Sequence, residues 1–257
     1  MLPPTSHQRF AARLRFAWAI VSVLIVETCI LGLAAAPAIA GWRWGARIEG
    51  IPEWGSMLFL SVLAVPSYLL FAFGVLLYSA WVTRLLGWRT LPGLSEPLDR
   101  FGWPLLNWGR YLISIHVARM FAGAVFRSTP IWLQYMRWNG ARIGRGVWVN
   151  SLSLMDHNLL EFGDGVVIGS DARVSGHTVE RGMLETAVVR IGAGSTIGIG
   201  SIIGIGTELG TNTQVGALSV VPKFSRLEAN TDYAGAPVHR LPPRMVAATE
   251  ASDSPLS

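Results

Sequence analysis

This chain carries one cysteine, Cys29, one lysine, Lys223, and little charge of either sign. The lone cysteine excludes an intramolecular disulfide and any cysteine-based zinc site, and its place inside an apolar run reads as packing. Charged residues make up 14% of the chain, against roughly 25% in a typical soluble domain. Hydrophobic residues make up 51% and mean hydropathy is +0.41, so part of the chain belongs in lipid. The net charge of +5 comes almost wholly from arginine. No basic run is interleaved with aromatics, which excludes nucleic acid as a partner. Arg13, Arg15, Arg84, Arg89 and Arg137 instead flank apolar stretches, where they meet anionic membrane lipids.

Two apolar runs have membrane-spanning length. Residues 16 to 40 exceed the roughly 20 residues needed to cross the hydrocarbon and also exceed the roughly 7 to 15 of a signal peptide core, so a retained helix is expected. Residues 56 to 86 form the second run, with Pro66 inside it, which neighbouring helices accommodate in a bundle. The N-terminal arm and the segment after the second run hold more arginine than the connection, where Glu49 and Glu53 offset Arg43 and Arg47. The positive-inside rule therefore places both ends in the cytoplasm. The expectation is a multi-pass inner-membrane protein with a two-helix membrane domain over residues 1–100. Glu27, alone in the first run, is costly in lipid and is expected to face a partner helix or polar cavity.

Residues 101–140 mix Trp103, Trp108, Tyr111, Trp132, Tyr135 and Trp138 with spaced arginines, an interfacial composition. Ile113, Val117, Met120, Phe121 and Ala124 follow a helical period, while Arg110, His116, Arg119 and Arg127 supply a polar component. Amphipathic helices lying in the headgroup region are expected here.

From residue 143 the pattern repeats every six residues. Apolar residues fall at Ile143, Val149 and Met155, then after a one-residue slip at Phe162, Ile168 and Val174, and again from Ile191 through Ile197, Ile203, Leu209 and Val215 to Val221. Glycine usually comes next, and a small or β-branched residue stands four positions after each apolar one, as at Ser195, Ser201, Thr207, Thr213 and Ser219. Three linked columns of this kind describe flat rungs with three faces per coil, whose stacking buries an aliphatic column that no single rung could bury.

The segment Ile143 to Val221 resembles the hexapeptide-repeat acyltransferases. That resemblance implies an all-β left-handed parallel β-helix, here over residues 141–224 on the cytoplasmic side, following the α-helical transmembrane region. It also implies a homo-oligomer, usually a trimer with a dimer possible, which binds acyl donors between subunits. Tyr233-Ala234-Gly235-Ala236-Pro237 is similar to the Gly-x-Pro loop that closes the helix in this family, within a C-terminal loop and tail over residues 225–257. More narrowly, the stretch from Ser128-Thr129-Pro130 to Trp138-Asn139-Gly140-Ala141-Arg142-Ile143-Gly144 resembles the approach to the rungs in the C-terminal region of poly-lysine-synthetase-type peptide synthetases.

Between Val174 and Ile191 the six-residue phase is lost, which marks a loop thrust out of the coil with His177 at its root. In the resembled family a histidine at such a loop takes the proton from the acceptor, a role suited to an imidazole near neutrality. The alternative is a histidine that caps the loop. Asp156, His157 and Asn158 form another irregular rung, and Glu161 precedes the slip at Phe162. With about three rungs to a coil, Asp156 or Glu161 could stack beside His177 and orient it, or form a solvated corner.

Lys223, Arg226, Arg240 and Arg244 gather toward the end of the repeats, where the resemblance implies a site for the phosphates of acetyl-CoA or another acyl thioester. No metal is expected, because the γ-class carbonic anhydrases on this fold need three histidines and the rungs carry only His157 and His177. The reading is a membrane-bound acyltransferase moving an acyl group, acetyl above all, from a coenzyme A or carrier-protein thioester to a hydroxyl or amine. The alternative is a non-catalytic membrane scaffold that oligomerises and recruits a carrier protein.

Overall fold

A computed structural model describes residues 6–48, 50 and 52–242. Among the described residues, helix α1 (Ser6–Gly45) and helix α2 (Glu53–Leu85) are the two elements long and apolar enough to cross a membrane. They pack antiparallel, with Ala34 against Gly74 and the Trp42 indole donating to Ser67 at 3.0 Å. A Cβ at Gly74 would come within 3.2 Å of the Ala34 backbone, so glycine sets how closely the helices approach. Ala34, Ala72, Val75 and Leu76 are buried in this seam, whereas Trp18, Leu24, Val62 and Val65 stand outward. Cys29 also lies exposed, which corrects its reading as a packing residue.

Helix α3 (Trp103–Ala118) runs in the same direction as α1, with Phe101 against Phe16 at its start and Ser114 facing Glu27 further along. Its face is turned relative to the expected amphipathic helix. Arg110, Tyr111, Ser114 and Ile115 are buried, while Ile113 and Met120 are exposed. Polar groups of this helix thus face the protein and apolar ones point away from it, the reverse of the pattern read from the sequence. The chain continues through a π-helical stretch, Arg119–Gly123, to a short helix, Pro130–Trp138, whose first turn is capped by the Thr129 hydroxyl. Arg119 donates to the Leu152 carbonyl at 3.1 Å, and Arg127 reaches Asn150, Ser170 and Asp171, tying the helices to the first rungs.

The rungs form a parallel β-helix with three faces. One face stacks Arg142–Ile143, Leu160–Phe162, Val189–Ile191, Glu208–Leu209 and Arg226–Leu227. The second runs from Trp148–Val149 through Val167–Ile168, Thr196–Ile197 and Gln214–Val215 to Asp232–Gly235, with Val238–Arg240 added antiparallel after a cis Ala236–Pro237 bond. The third stacks Arg173–Val174, Ile202–Ile203 and Val220–Val221. Partners such as Ile202 and Val220 are 18 residues apart, three rungs of six. The glycine column answers to this stacking: a Cβ on Gly192 would lie 2.5 Å from the Gly210 carbonyl carbon.

Ile197, Ile203, Val215 and Val221 fill the interior as the period requires. The small column is buried too, and its hydroxyls are satisfied by backbone: Ser195 donates to the Gly210 carbonyl at 2.9 Å and Thr213 to that of Glu228 at 2.8 Å. In the first coil the inward residue is Leu154, bridged to Val174, and not Met155. Both neighbours are apolar, so the pattern alone did not separate them.

The coil containing the phase break is eleven residues longer than the regular ones, with Val167 pairing to Thr196 across 29 positions. The extra residues are a β-hairpin, His177–Glu180 with Met183–Thr186. A third strand, Ser95–Pro97, comes from the segment after α2 and pairs antiparallel with Met183–Thr186. The expected free loop is thus a three-stranded sheet fastened to the helical region.

Candidate functional site

His177 opens this hairpin, and Asp156 lies 21 residues earlier, one coil back. The His177 Nδ1 is 2.5 Å from the Asp156 Oδ2. Asp156 is fully buried and sits in the left-handed region at φ 55°, which turns its carboxylate from the coil interior toward the hairpin. Its other oxygen accepts from the Thr90 hydroxyl at 2.6 Å, and the Asn158 amide donates to the Thr90 carbonyl at 2.7 Å. The Ser175 hydroxyl stands 3.1 Å from the His177 Nδ1 and accepts from the His177 backbone N–H at 3.2 Å. The Trp108 indole of α3 meets the imidazole edge to face, with ring centres 4.9 Å apart. Nδ1 is therefore held by a carboxylate, and Nε2 has no hydrogen bond among the described residues. Such a histidine can accept a proton at Nε2 and stabilise the resulting imidazolium through Asp156.

Of the two carboxylates considered, Asp156 meets His177 and Glu161 does not. Glu161 bridges Arg142 and Arg190 at 3.0 Å each, and Arg190 continues to Glu208 and Glu208 to Arg226, an alternating ladder up the outside of one face. Arg226 belongs to this ladder. Lys223 pairs with Glu180 at 2.8 Å and with Glu185 at 3.5 Å, buttressing the hairpin, and the two charges hold the Glu180 carboxyl down and the Lys223 ammonium up. Arg240 pairs with Glu228 at 3.0 Å. Arg244 lies outside the described residues.

His157 has a separate part. It is fully buried between the edges of Trp132 and Tyr135, and neither ring nitrogen completes a hydrogen bond of standard geometry. Burial pulls its pKa down to about 4, so the ring is neutral at pH 7.

Three features of the site were not read from the sequence as belonging to it. Thr90, the Ser95–Pro97 strand and Trp108 all come from the helical region, and no local pattern points from them to a histidine 69 or more residues away. A cavity of about 850 Å³ at the same junction is lined by Arg84, Arg89, Thr90, Arg142 and Asn158, where the helices meet the first coils.

The chain thus joins two apolar helices to a hexapeptide-repeat parallel β-helix with an Asp–His pair at its one inserted hairpin. No protein-family model matches it, and no curated protein does. Among solved structures, it is similar to a maltose O-acetyltransferase from Clostridium difficile 630, at TM-score 0.44 and 19% identity over 58% of this chain and 91% of that one. It is also similar to a serine acetyltransferase from Brucella abortus strain S19, at TM-score 0.36 and 15% identity over 89% and 74% of the two chains. A third is the acetyltransferase domain of PglB from Neisseria gonorrhoeae FA1090 in complex with acetyl coenzyme A, at TM-score 0.31 and 19% identity over 49% and 66%. All three of those proteins are acetyltransferases. Likenesses this distant do not assign chemistry, which rests here on this chain's own residues.

Proposed function

We propose that this protein is a membrane-bound acyltransferase that moves an acyl group, acetyl above all, from a coenzyme A or carrier-protein thioester to a hydroxyl or amine. The observation that carries this reading is the buried Asp156 held to the Nδ1 of His177, with Nε2 left unbonded. His177 acts as the general base and Asp156 as its positioning residue. The acceptor O–H or N–H gives its proton to Nε2 as its heteroatom attacks the thioester carbonyl carbon. The tetrahedral intermediate then collapses, the carbon–sulfur bond breaks, and the proton passes from the imidazolium to the departing thiolate.

On this reading α1 and α2 span the inner membrane, and the β-helix is left-handed and lies on the cytoplasmic side where thioesters are available. The chain forms a homo-oligomer, most simply a trimer. Lys223, Arg226, Arg240 and Arg244 remain the cations proposed for the donor's phosphates, which would displace Glu180, Glu208 and Glu228 from the first three.

The test is acetyl-CoA-dependent release of free thiol by the solubilised full chain supplied with lipid extract. Replacing His177 by Ala should lower it by about 10²–10⁴-fold, the usual range for a general base. Undiminished turnover in a folded H177A protein would reject the reading. Titration with acetyl-CoA should show saturable binding that weakens in a Lys223→Ala/Arg240→Ala variant.

A further inference from the structure

Beside the histidine lies a groove that the reaction above does not use. It runs between α1 and α3, encloses about 490 Å³, and is walled by Phe16, Ile20, Val23, Leu24, Leu105 and Ile113. Its lining is apolar with one cation, Arg110. That guanidinium is clamped between the Trp88 and Trp103 rings, each 5.4 Å away. It spends Nη1 on Asn107 at 3.0 Å, while Nε and Nη2 are buried with no hydrogen-bond partner. The residue is 6% exposed, and no carboxylate pairs with it among the described residues. A buried guanidinium with unmet donors is costly unless an anion completes it. Trp108 lines the groove and its other side meets the His177 ring, so one side chain separates the groove from the proton acceptor.

We propose that this groove binds the tail of a lipid-linked acceptor whose anionic headgroup, a phosphate by its fit to a forked donor, sits on Arg110 and whose acylated group lies at His177. An apolar trough with exposed Ile20, Leu24 and Ile113 along its rim suits a hydrocarbon chain entering from the bilayer, and the unpaired fork suits two phosphate oxygens. The proposal rests on the acyltransferase reading and supplies its acceptor class.

The test uses the full chain in phosphatidylcholine nanodiscs with two probes, a long-chain alkyl monophosphate and the matching alcohol, each carrying a diazirine in its tail. The phosphate probe should label peptides bearing Phe16–Leu24 and Leu105–Ile113 saturably, and at least tenfold more than the alcohol. Arg110→Gln should bring the phosphate probe down to the alcohol's level. Ile20→Trp, on the exposed wall, should block the groove and lower labelling by both probes while leaving the cation in place. Equal labelling by the two probes, labelling spread over the outer faces of α1 and α2, or cross-links from α1 of one copy to α3 of another would overturn the proposal. Competition by inorganic phosphate as strong as by unlabelled alkyl phosphate would overturn it as well. Thiol release from acetyl-CoA, measured alongside, separates the two ideas. His177-dependent release without groove labelling removes the lipid site alone, and groove labelling without that release removes the acyltransferase and keeps the lipid site.

Discussion

The β-helix and the helical region treat buried polar groups in opposite ways. In the regular coils every buried hydroxyl has a carbonyl of the same or the next coil to meet, as Ser195, Ser201, Thr207 and Thr213 do. In the helical region and the first rungs, Glu27, Trp108, Arg110, Ser114, Trp132 and His157 all keep buried polar atoms without a partner. A repeat solves its hydrogen bonding once and copies the solution every six residues. Irregular packing has no such template, and one of its unmet groups, Trp108, lies against the His177 ring. Unmet groups of this sort are where function is to be sought.

The strongest way to break the comparison is at the junction itself. Asp156→Asn should lower thiol release by a factor in the same range of about 10²–10⁴ as loss of His177, because the amide no longer holds Nδ1–H and the imidazolium is unsupported. A pH–rate profile that keeps its shape with undiminished rate would show Asp156 to be structural only.

Acid should next distinguish the two regions. His157 has a folded pKa of about 4 against an ordinary value of 6.5, so the unfolded chain binds the proton more readily. Its contribution to stability is complete above about pH 6.5 and is lost as pH falls toward 4, by ~3 kcal/mol over that window. Thermal unfolding followed from pH 7.5 to 4.5 should show this loss, and His157→Phe should flatten that part of the curve.

Single hydroxyls give a smaller contrast. Ser195→Ala strands the Gly210 carbonyl and the Thr213 N–H and should cost about 1–3 kcal/mol. Ser114→Ala, which removes a hydroxyl that faces Glu27 without completing a hydrogen bond of standard geometry, should change stability by less than about 0.5 kcal/mol. Equal costs in denaturant titrations would erase the distinction drawn between the regions. The least effect belongs to the surface ladder: Glu161→Gln should cost at most about 1 kcal/mol, and less in high salt, because its arginine partners are largely solvated.

How far the site could be read from sequence depends on how local each signal is. His177 was legible because its hairpin interrupts a six-residue period that is plain on both sides. Asp156 was legible as a candidate because it lies about one coil earlier, yet Glu161 was equally near in sequence. Only the stacking shows that Glu161 faces outward between Arg142 and Arg190 while Asp156 is buried against the histidine. Arg110 misled, since a helical wheel drawn for water puts it outside, whereas α3 buries it between two tryptophans.

What the sequence by itself determined is therefore the repeat: the period of six, its inward aliphatic column and its break at His177 follow from contacts that recur at a constant spacing. What only the tertiary structure decided is how the helical region meets that repeat. The third strand on the hairpin, the Thr90 bond to Asp156, the Trp108 contact and the groove lined by Arg110 join residues roughly 20 to 95 positions apart, and contacts without a period leave no trace in a pattern.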